Sequence, residues 1–164
     1  MNRARELIES LALAPHPERG FYRETYRAPL VVGAHGGTRA VSTAIYFLVS
    51  REEPTTYLHR LRSDEVFHLY EGGPLDVLLL ADSMRGKVRR LGLDVAAGER
   101  PQIVIDAGTW FGGELAPEAT HCLFGCTVAP GFDFTDFELA LGPELAAHHP
   151  DHAARIARMV RPRR

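Results

Sequence analysis

The chain has 164 residues, 19 Lys and Arg against 21 Asp and Glu, and a hydrophobic fraction of 45%. This profile is typical of one soluble globular domain, so we predict a single domain over residues 1–164. The net charge of -2 argues against a nucleic-acid partner, because that affinity comes from many Lys and Arg side chains that neutralise phosphates. The longest apolar run, Ala44 to Val49, is far shorter than the roughly 20 residues that cross a bilayer. We therefore expect a cytoplasmic protein with no membrane partner.

Short helices are predicted at both ends of the chain. Residues 3–13 place apolar side chains on one helical face, and Asn2 precedes them as a candidate cap. A second helical pattern covers about 143–160, with Pro143 at its first turn and a second helix start near Pro150 and Asp151. The apolar positions of the two helices are Ala4, Leu7, Ile8, Leu11, Ile156, Met159 and Val160.

Between the helices, residues from about 20 to 141 predict an all-β core. Short runs rich in Val, Ile, Phe, Tyr and Thr alternate with Gly, Pro, Asp and Ser clusters. Long helices that could connect parallel strands are missing, so we expect antiparallel pairing in a β-sandwich or barrel. Residues Gly33 to Gly37 are predicted as a flexible loop, and Asp82 to Gly86 as a hairpin turn. The predicted strands are Phe21–Tyr26, Ala40–Val49, Thr56–Leu61, Glu65–Glu71, Leu75–Ala81, Lys87–Gly92, Gln102–Asp106, Trp110–Leu115, His121–Val128 and Asp136–Ala140.

The densest cluster of chemically active side chains runs from His59 to Glu71. Its two histidines and three carboxylates fit acid–base or metal chemistry, although a solvated, charge-laced strand pair explains the composition equally well. Strand alternation places Glu65 on the same face as Phe67, where desolvation raises the pKa of a carboxyl group unless a cation or a metal compensates. His68 falls on the opposite face unless a bulge interrupts the alternation.

Aromatic side chains offer a second set of candidate ligand contacts. Trp110 and Phe111 follow Gly108, where they could form a wall for a planar ligand or simply fill the core of the sandwich. Cys122 and Cys126 lie four residues apart in a predicted strand, about 13 Å between Cα atoms, which is too far for a disulfide. We expect both cysteines to be reduced packing residues.

Two segments carry a family resemblance. The stretch from His59 through Glu65 to Gly72 resembles the first motif of the cupin superfamily, and residues 106–110, Asp-Ala-Gly-Thr-Trp, resemble the second. Residues 16–27, 62–68, 107–110 and 125–138 together resemble a branch of small cupins that has no assigned function. The resemblance implies a double-stranded β-helix, or jelly roll, and a homodimer that exchanges an N-terminal strand.

The departures from the family pattern bear on function. Leu61 stands where metal cupins have a second histidine, and Phe111 stands where they have their last one. The motif positions then leave His59 and Glu65 as ligands of a divalent transition metal, and His68 or His121 would have to complete the site.

Metal-free sugar epimerases of the same superfamily use a histidine at the position of His59 to remove a proton beside a carbonyl group. Their partner acid is generally a tyrosine, but the later predicted strands contain none, and the last tyrosine is Tyr70. The resemblance then leaves Glu65 or Asp136 to act as the acid.

Three functions stay open on this basis. The leading hypothesis is an isomerase, epimerase or lyase for a small polar or sugar-type metabolite, with His59 and Glu65 as catalytic residues. The alternatives are a metal-dependent enzyme with its metal on His59, Glu65 and His68, and a ligand-binding or storage protein without turnover. The candidate substrate contacts are Phe67, His68, Trp110 and Phe111.

Overall fold

The computed structural model describes residues 2–81, 86–141 and 144–161. In these ranges the chain forms thirteen β-strands, three α-helices and two short 3-10 turns. The helices are α1 (Arg3–Ser10), α2 (Glu144–His148) and α3 (Ala153–Met159), and the 3-10 turns are Phe134–Asp136 and Pro150–His152. The strands are β1 (Ala14–Pro15), β2 (Phe21–Arg27), β3 (Val31–Ala34), β4 (Gly37–Ala40), β5 (Thr43–Ser50), β6 (His59–Leu61), β7 (Asp64–Gly72), β8 (Leu75–Leu80), β9 (Lys87–Leu91), β10 (Gln102–Ile105), β11 (Trp110–Leu115), β12 (His121–Ala129) and β13 (Phe137–Leu139).

Two antiparallel sheets enclose the core, as predicted. One sheet has the order β1-β2-β5-β12-β7-β10 and the other the order β13-β6-β11-β8-β9, while β3 and β4 form a separate hairpin. Alternate side chains of both sheets point inward, and Phe47, Phe67, Phe111 and Phe124 pack together with aliphatic neighbours. This arrangement is the jelly roll that the sequence resemblance implies.

The structure corrects several predicted boundaries. The segment from Gly33 to Gly37 is not a loop, because β3 and β4 pair from Val31 opposite Ala40 to Ala34 opposite Gly37. The predicted strand Thr56–Leu61 shortens to β6, since the backbone N–H of Leu58 donates to Met159 of the C-terminal helix rather than to a neighbouring strand. Residues 82–85 and Pro143, where a hairpin turn and a helix start are predicted, lie outside the described ranges.

The terminal helices cover the outer faces of the two sheets. The Asn2 side chain accepts the N–H of Ala4 at 3.1 Å and caps α1, which packs Leu7 against outward-facing Leu48 of β5. The helix ends at Ser10, earlier than predicted, and Ala12 follows with a φ of 51°. The part of the chain described here contains no helix that is long and apolar enough to cross a membrane.

At the other end of the chain, the predicted apolar helical face is confirmed. Ile156 and Met159 of α3 are completely buried against Leu58 and Leu78 on the outer face of the five-stranded sheet. The second helix start predicted near Pro150 is also confirmed, since the segment is divided into α2, a 3-10 turn that starts at Pro150, and α3, because proline has no N–H to continue a helix.

The packing of α3 predicts an effect on stability. We expect Ile156→Ala to lower the free energy of unfolding by about 2–5 kcal/mol, because it leaves a cavity between the helix and the sheet. Denaturant titration followed by circular dichroism measures this loss. Arg158→Ala is the matched control on the same helix, and it should cost less than about 1 kcal/mol since its ion pair with Glu114 is exposed. Equal losses in the two variants would contradict the packing described here.

Candidate functional site

A cavity of about 320 Å³ opens at one end of the barrel. Strands β2, β5, β6, β7 and β12 supply its walls, together with residues 16–18 before β2 and residues 132–134 before β13. Its buried part carries ionisable side chains and its mouth carries aromatic ones. The ionisable side chains in the buried part are His16, Glu18, His59 and Glu65.

His59 stands at the start of β6 and is hydrogen-bonded through both ring nitrogens. Its Nδ1 lies 2.9 Å from the carbonyl oxygen of Tyr57, and its Nε2 lies 2.9 Å from Oε2 of Glu18. A carbonyl oxygen only accepts, so Nδ1 carries a proton and donates it. A bare Nε2 lone pair would then face a carboxylate oxygen, which is repulsive. One further proton therefore lies between His59 and Glu18, and the two side chains share it as imidazolium–carboxylate or as imidazole–carboxylic acid.

The electrostatic setting of His59 favours the protonated ring. Burial by itself would lower the pKa of the imidazole, but the negative charge of Glu18 and its hydrogen bond, followed by the charge of Glu65, raise it above its ordinary value. The side chains of His59 and Glu18 are only 5% and 10% exposed, so water screens this interaction little.

Glu65 lies on the inward face of β7, where strand alternation predicts it. Its Oε2 atom is buried and has no hydrogen-bond partner in the described part of the chain. Burial raises the pKa of this carboxyl to about 7; the charge of Glu18 acts in the same direction, while the charge of His59 and the Cys126 thiol oppose it. The site therefore holds a buried carboxyl group that titrates near neutral pH and has one oxygen without a hydrogen-bond partner.

A strained turn before β2 places the Glu18 side chain next to His59. Arg19 and Gly20 have φ values of 73° and 74°, a left-handed conformation in which non-glycine residues are rare. A Cβ on Gly20 would lie 2.7 Å from the Phe47 ring, so only glycine fits there. The Glu18 carbonyl accepts the N–H of Tyr57 at 2.7 Å, and the Arg19 guanidinium lies 4.1 Å from the centre of the Tyr57 ring. These anchors hold Glu18 in place.

His16 begins the same turn and is a neutral imidazole. Its Nδ1 accepts the backbone N–H of Glu18 at 3.3 Å, so the ring proton resides on Nε2. Burial lowers the pKa of His16, which keeps the ring uncharged near neutral pH. The ring packs edge-on against Tyr22 of β2, with a centroid distance of 4.5 Å. Both side chains line the cavity.

Aromatic rings and a salt bridge form the mouth of the cavity. The ring centroids of Phe132, Phe134 and Phe137 lie 4.9 to 6.1 Å apart, and Phe134 is 52% exposed. Arg27 at the end of β2 donates to both carboxylate oxygens of Glu24, at 3.0 and 2.7 Å. The mouth therefore combines apolar ring faces with charge.

The structure removes Asp136 from the candidate acids. Arg39 of β4 donates to both of its carboxylate oxygens, at 2.6 and 3.0 Å. The hydrogen bond with Arg39 holds the pKa of Asp136 below its ordinary range, so the group stays ionised and has no proton to give. Its role is structural, because the ion pair ties the β3–β4 hairpin to the turn that carries Phe134.

Two predicted substrate contacts lie away from the cavity. His68 is on the opposite face of β7 from Glu65, hydrogen-bonded to Thr127 at 3.2 Å and to Gln102 at 3.1 Å. The bulge in this strand comes after Leu69, so it does not turn His68 inward. Trp110 faces outward, with the Arg60 guanidinium 4.5 Å from the centre of its ring.

The other two predicted contacts support the site from behind. The Phe111 ring lies 4.0 Å from the ring of His59 between centroids, and Phe67 packs on Phe111 at 5.9 Å. Both rings belong to the core cluster. They fix the plane of the His59 ring and exclude water from it.

The donor set does not fit a firmly held divalent metal. In the described ranges no group of three or more His, Cys, Asp or Glu side chains is arranged to hold a metal ion. Leu61 and Phe111 offer only hydrocarbon, Nε2 of His59 faces Glu18, and His68 is on the wrong face. The other candidate ligand, His121, lies at the far end of β12 and pairs with Glu71 at 3.2 Å. The predicted metal site on His59, Glu65 and His68 is therefore not formed.

Sequence reasoning missed Glu18 and Tyr22. Residues 16–27 stand out in the sequence only as a stretch of family resemblance, because no periodic pattern marks a turn residue that reaches into a barrel. The signal that could have found Glu18 is the His-Pro-Glu-Arg-Gly run, in which the glycine marks a tight turn directly before a strand.

The comparisons with known proteins agree with this architecture. Protein SO0799 from Shewanella oneidensis has a solved structure with 36% identity and a TM-score of 0.88, and the alignment covers 98% of each chain. A hypothetical protein from Leishmania major has 34% identity and a TM-score of 0.88, covering 96% of this chain and 98% of its own. The uncharacterized protein YML079W of Saccharomyces cerevisiae is 29% identical over 168 residues, 93% of this chain and 83% of its own.

A more distant likeness shows the fold alone. Oxalate decarboxylase from Bacillus subtilis has 14% identity and a TM-score of 0.54, covering 88% of this chain and 36% of its own. The family model described as Cupin superfamily (DUF985) matches residues 5–140. Since this match takes in the barrel and every side chain of the cavity described above, the chain belongs to the cupin superfamily, in the family described as DUF985.

Proposed function

We propose that the protein is an acid–base enzyme that moves a proton beside a carbonyl group of a small polar or sugar-type metabolite, which makes it an isomerase, an epimerase or a lyase. The observation that carries this proposal is the free Oε2 atom of Glu65 next to a His59–Glu18 pair that holds a shared proton. A base and an acid of different proton affinity thus face one cavity, as such chemistry requires.

The roles that we propose for these residues differ from those in the sequence prediction. Both ring nitrogens of His59 are engaged, so His59 is poorly placed to act as the base. Glu65, when ionised, takes the proton from the carbon, and the C–H electron pair forms the C=C bond of an enol. The His59–Glu18 pair gives its shared proton to the carbonyl oxygen, which accepts the former C=O π pair. A pKa of about 7 makes Glu65 a stronger base than an ordinary carboxylate.

An epimerase also needs a group that returns a proton to the other face of the carbon. Tyr22, on an early strand, and neutral His16, with its proton on Nε2, both line the cavity. They supply the hydroxyl or imidazole donor that the later strands lack. An isomerase returns the proton to the neighbouring carbon, and a lyase instead expels a leaving group from it.

Deuterium exchange tests the proposed proton transfer without knowledge of the full reaction. We expect the protein in D₂O to introduce deuterium beside the carbonyl group of at least one member of a panel of small sugars and oxo acids. Because Glu65 accepts the proton, Glu65→Gln should slow this exchange by about 100-fold or more, as measured by mass spectrometry.

The matched control is Glu71→Gln, which changes a carboxylate of the same strand at the far end of the barrel. It should leave the exchange rate unchanged. Tight binding of a panel member that never gains deuterium would contradict the enzyme proposal and favour the ligand-binding or storage alternative.

The buried carboxyl of Glu65 also predicts a pH dependence of stability. Its pKa rises from 4.5 to about 7 on folding, so the folded state holds this proton more tightly than the unfolded state. The stabilisation is fully present below pH 4.5 and is lost as pH rises through about 7, with a total on the order of 3 kcal/mol. Glutamine does not titrate, so Glu65→Gln should gain stability relative to the wild type between pH 5 and pH 8 in urea titrations.

Glu52→Gln serves as the control here. The pKa of Glu52 is lowered, chiefly by its hydrogen bond with the Ser50 side chain, so its stabilising effect is complete above pH 4.5. The stability difference between this variant and the wild type should not change between pH 5 and pH 8. A flat difference for Glu65→Gln over the same interval would show that Glu65 is not a buried acid.

The family resemblance also leads us to propose a homodimer. Sedimentation velocity of the tag-free chain should give a species of two chains, and a monomer at micromolar concentration would contradict the proposal.

A further inference from the structure

We propose that the metabolite bound in the cavity carries a protonated amine, held by Asp133 and the aromatic rings of the mouth. This inference deepens the proposed function and rests on it, since it names the class of substrate that reaches Glu65.

The charges that line the cavity do not balance. Four carboxyl groups line it, on Glu18, Glu24, Glu65 and Asp133. Two are neutralised within the protein, because Arg27 binds both oxygens of Glu24 and the shared proton joins His59 to Glu18. In the described lining no further cation pairs with the other two, Glu65 and Asp133, although the charges of His59 and Arg27 act on them from their own pairs.

Asp133 is ionised and stands at the mouth. Its Oδ1 accepts hydrogen bonds from the backbone N–H and the hydroxyl group of Thr135, at 2.9 and 2.7 Å, and these bonds hold its pKa below the ordinary range. Arg39 behind it adds to this effect but is committed to both oxygens of Asp136. The cavity therefore keeps one negative charge when Glu65 is protonated and two when it is ionised.

The rings beside Asp133 provide a second kind of attraction for a cation. Phe132 and Phe134 flank it in the chain, and both pack against Phe137 around the mouth. Ring faces attract ammonium groups through their quadrupole, most strongly where water is partly excluded. The half-exposed ring of Phe134 can then contact the ammonium group of the ligand, which explains why this apolar side chain is at the surface.

The free oxygen of Glu65 supplies the reason for a charged ligand. Glu65 is only 6% exposed, and its Oε2 has no partner in the described ranges, so ionising it in the empty cavity is costly. A cation that enters the cavity compensates this charge and promotes the ionised form. An amine-bearing substrate therefore favours the ionised, basic form of Glu65 on binding, whereas a neutral sugar leaves Glu65 protonated and the charge of Asp133 unbalanced, and an anion is repelled.

Three sugars that share the same ring but differ in charge test the inference. The probes are D-glucosamine, D-glucose and D-glucuronate at about pH 6, where the amine is protonated. Binding is followed by amide chemical shifts of Thr135, Cys126 and other residues of the cavity in ¹⁵N–¹H spectra. We expect glucosamine to bind about tenfold more tightly than glucose, with glucuronate the weakest, as one extra charge pair near the protein surface implies.

Asp133→Asn provides the matched variant, because asparagine keeps an oxygen for the Thr135 N–H but loses the charge. It should weaken glucosamine binding about tenfold and leave glucose binding unchanged. Asp151→Asn removes a charge from the distant C-terminal 3-10 turn and should change neither.

The outcomes separate this inference from the proposed function. Equal affinities for glucosamine and glucose, a preference for glucuronate, or unchanged cavity signals with all three probes would overturn the amine assignment. Amine binding by a protein that never exchanges deuterium would support the assignment and overturn the enzyme proposal. Deuterium exchange limited to neutral or acidic panel members would support the enzyme proposal and overturn the amine assignment.

Discussion

The buried hydrogen bond between His59 Nε2 and Glu18 Oε2 is the interaction on which the rest of the site depends. An imidazole and a carboxyl group are buried together only when a proton joins them in a hydrogen bond. The position of that proton sets the charges that act on the neighbouring groups. The positive ring of His59 partly offsets the burial of Glu65, whose pKa of about 7 results from this balance. The strained turn at Arg19 and Gly20 makes this bond possible, because it directs Glu18 toward the inside of the barrel.

The jelly-roll scaffold leaves one barrel end open, where the cavity forms. The terminal helices α1 and α3 occupy the outer faces of the two sheets, where Leu48 and Leu78 would otherwise meet water. The ion pair between Arg39 and Asp136 holds the β3–β4 hairpin against the turn that carries the mouth rings. Polar contacts thus organise the open end, whereas apolar packing organises the rest of the molecule.

Local patterns in the sequence were sufficient for an antiparallel β core, and the family resemblance added the jelly roll and half of the site. Period-two alternation placed Glu65 inward with Phe67, and the motif spacing singled out His59. Alternation put His68 on the opposite face from Glu65, and its assignment as a contact required a bulge that the strand has only after Leu69. Trp110 was misplaced because its motif position does not tell which side of the strand faces the cavity. Glu18 was missed because no periodic pattern marks it, and its position depends on contacts of a turn with Tyr57, 39 positions further along the chain. The β3–β4 hairpin was missed because its glycines are also typical of a loop.

The contacts that build the cavity join distant parts of the chain, which has a consequence for biosynthesis. Arg39 and Asp136 are separated by 97 positions, and the mouth rings come from the last strand-forming segment. A nascent chain on the ribosome can pair β2 with β5 early, but it has no enclosed pocket until residue 137 has emerged and docked. Incompletely synthesised or partly unfolded copies therefore carry ordinary, water-exposed acids and imidazoles, and the carboxyl group with a raised pKa arises only in the folded molecule.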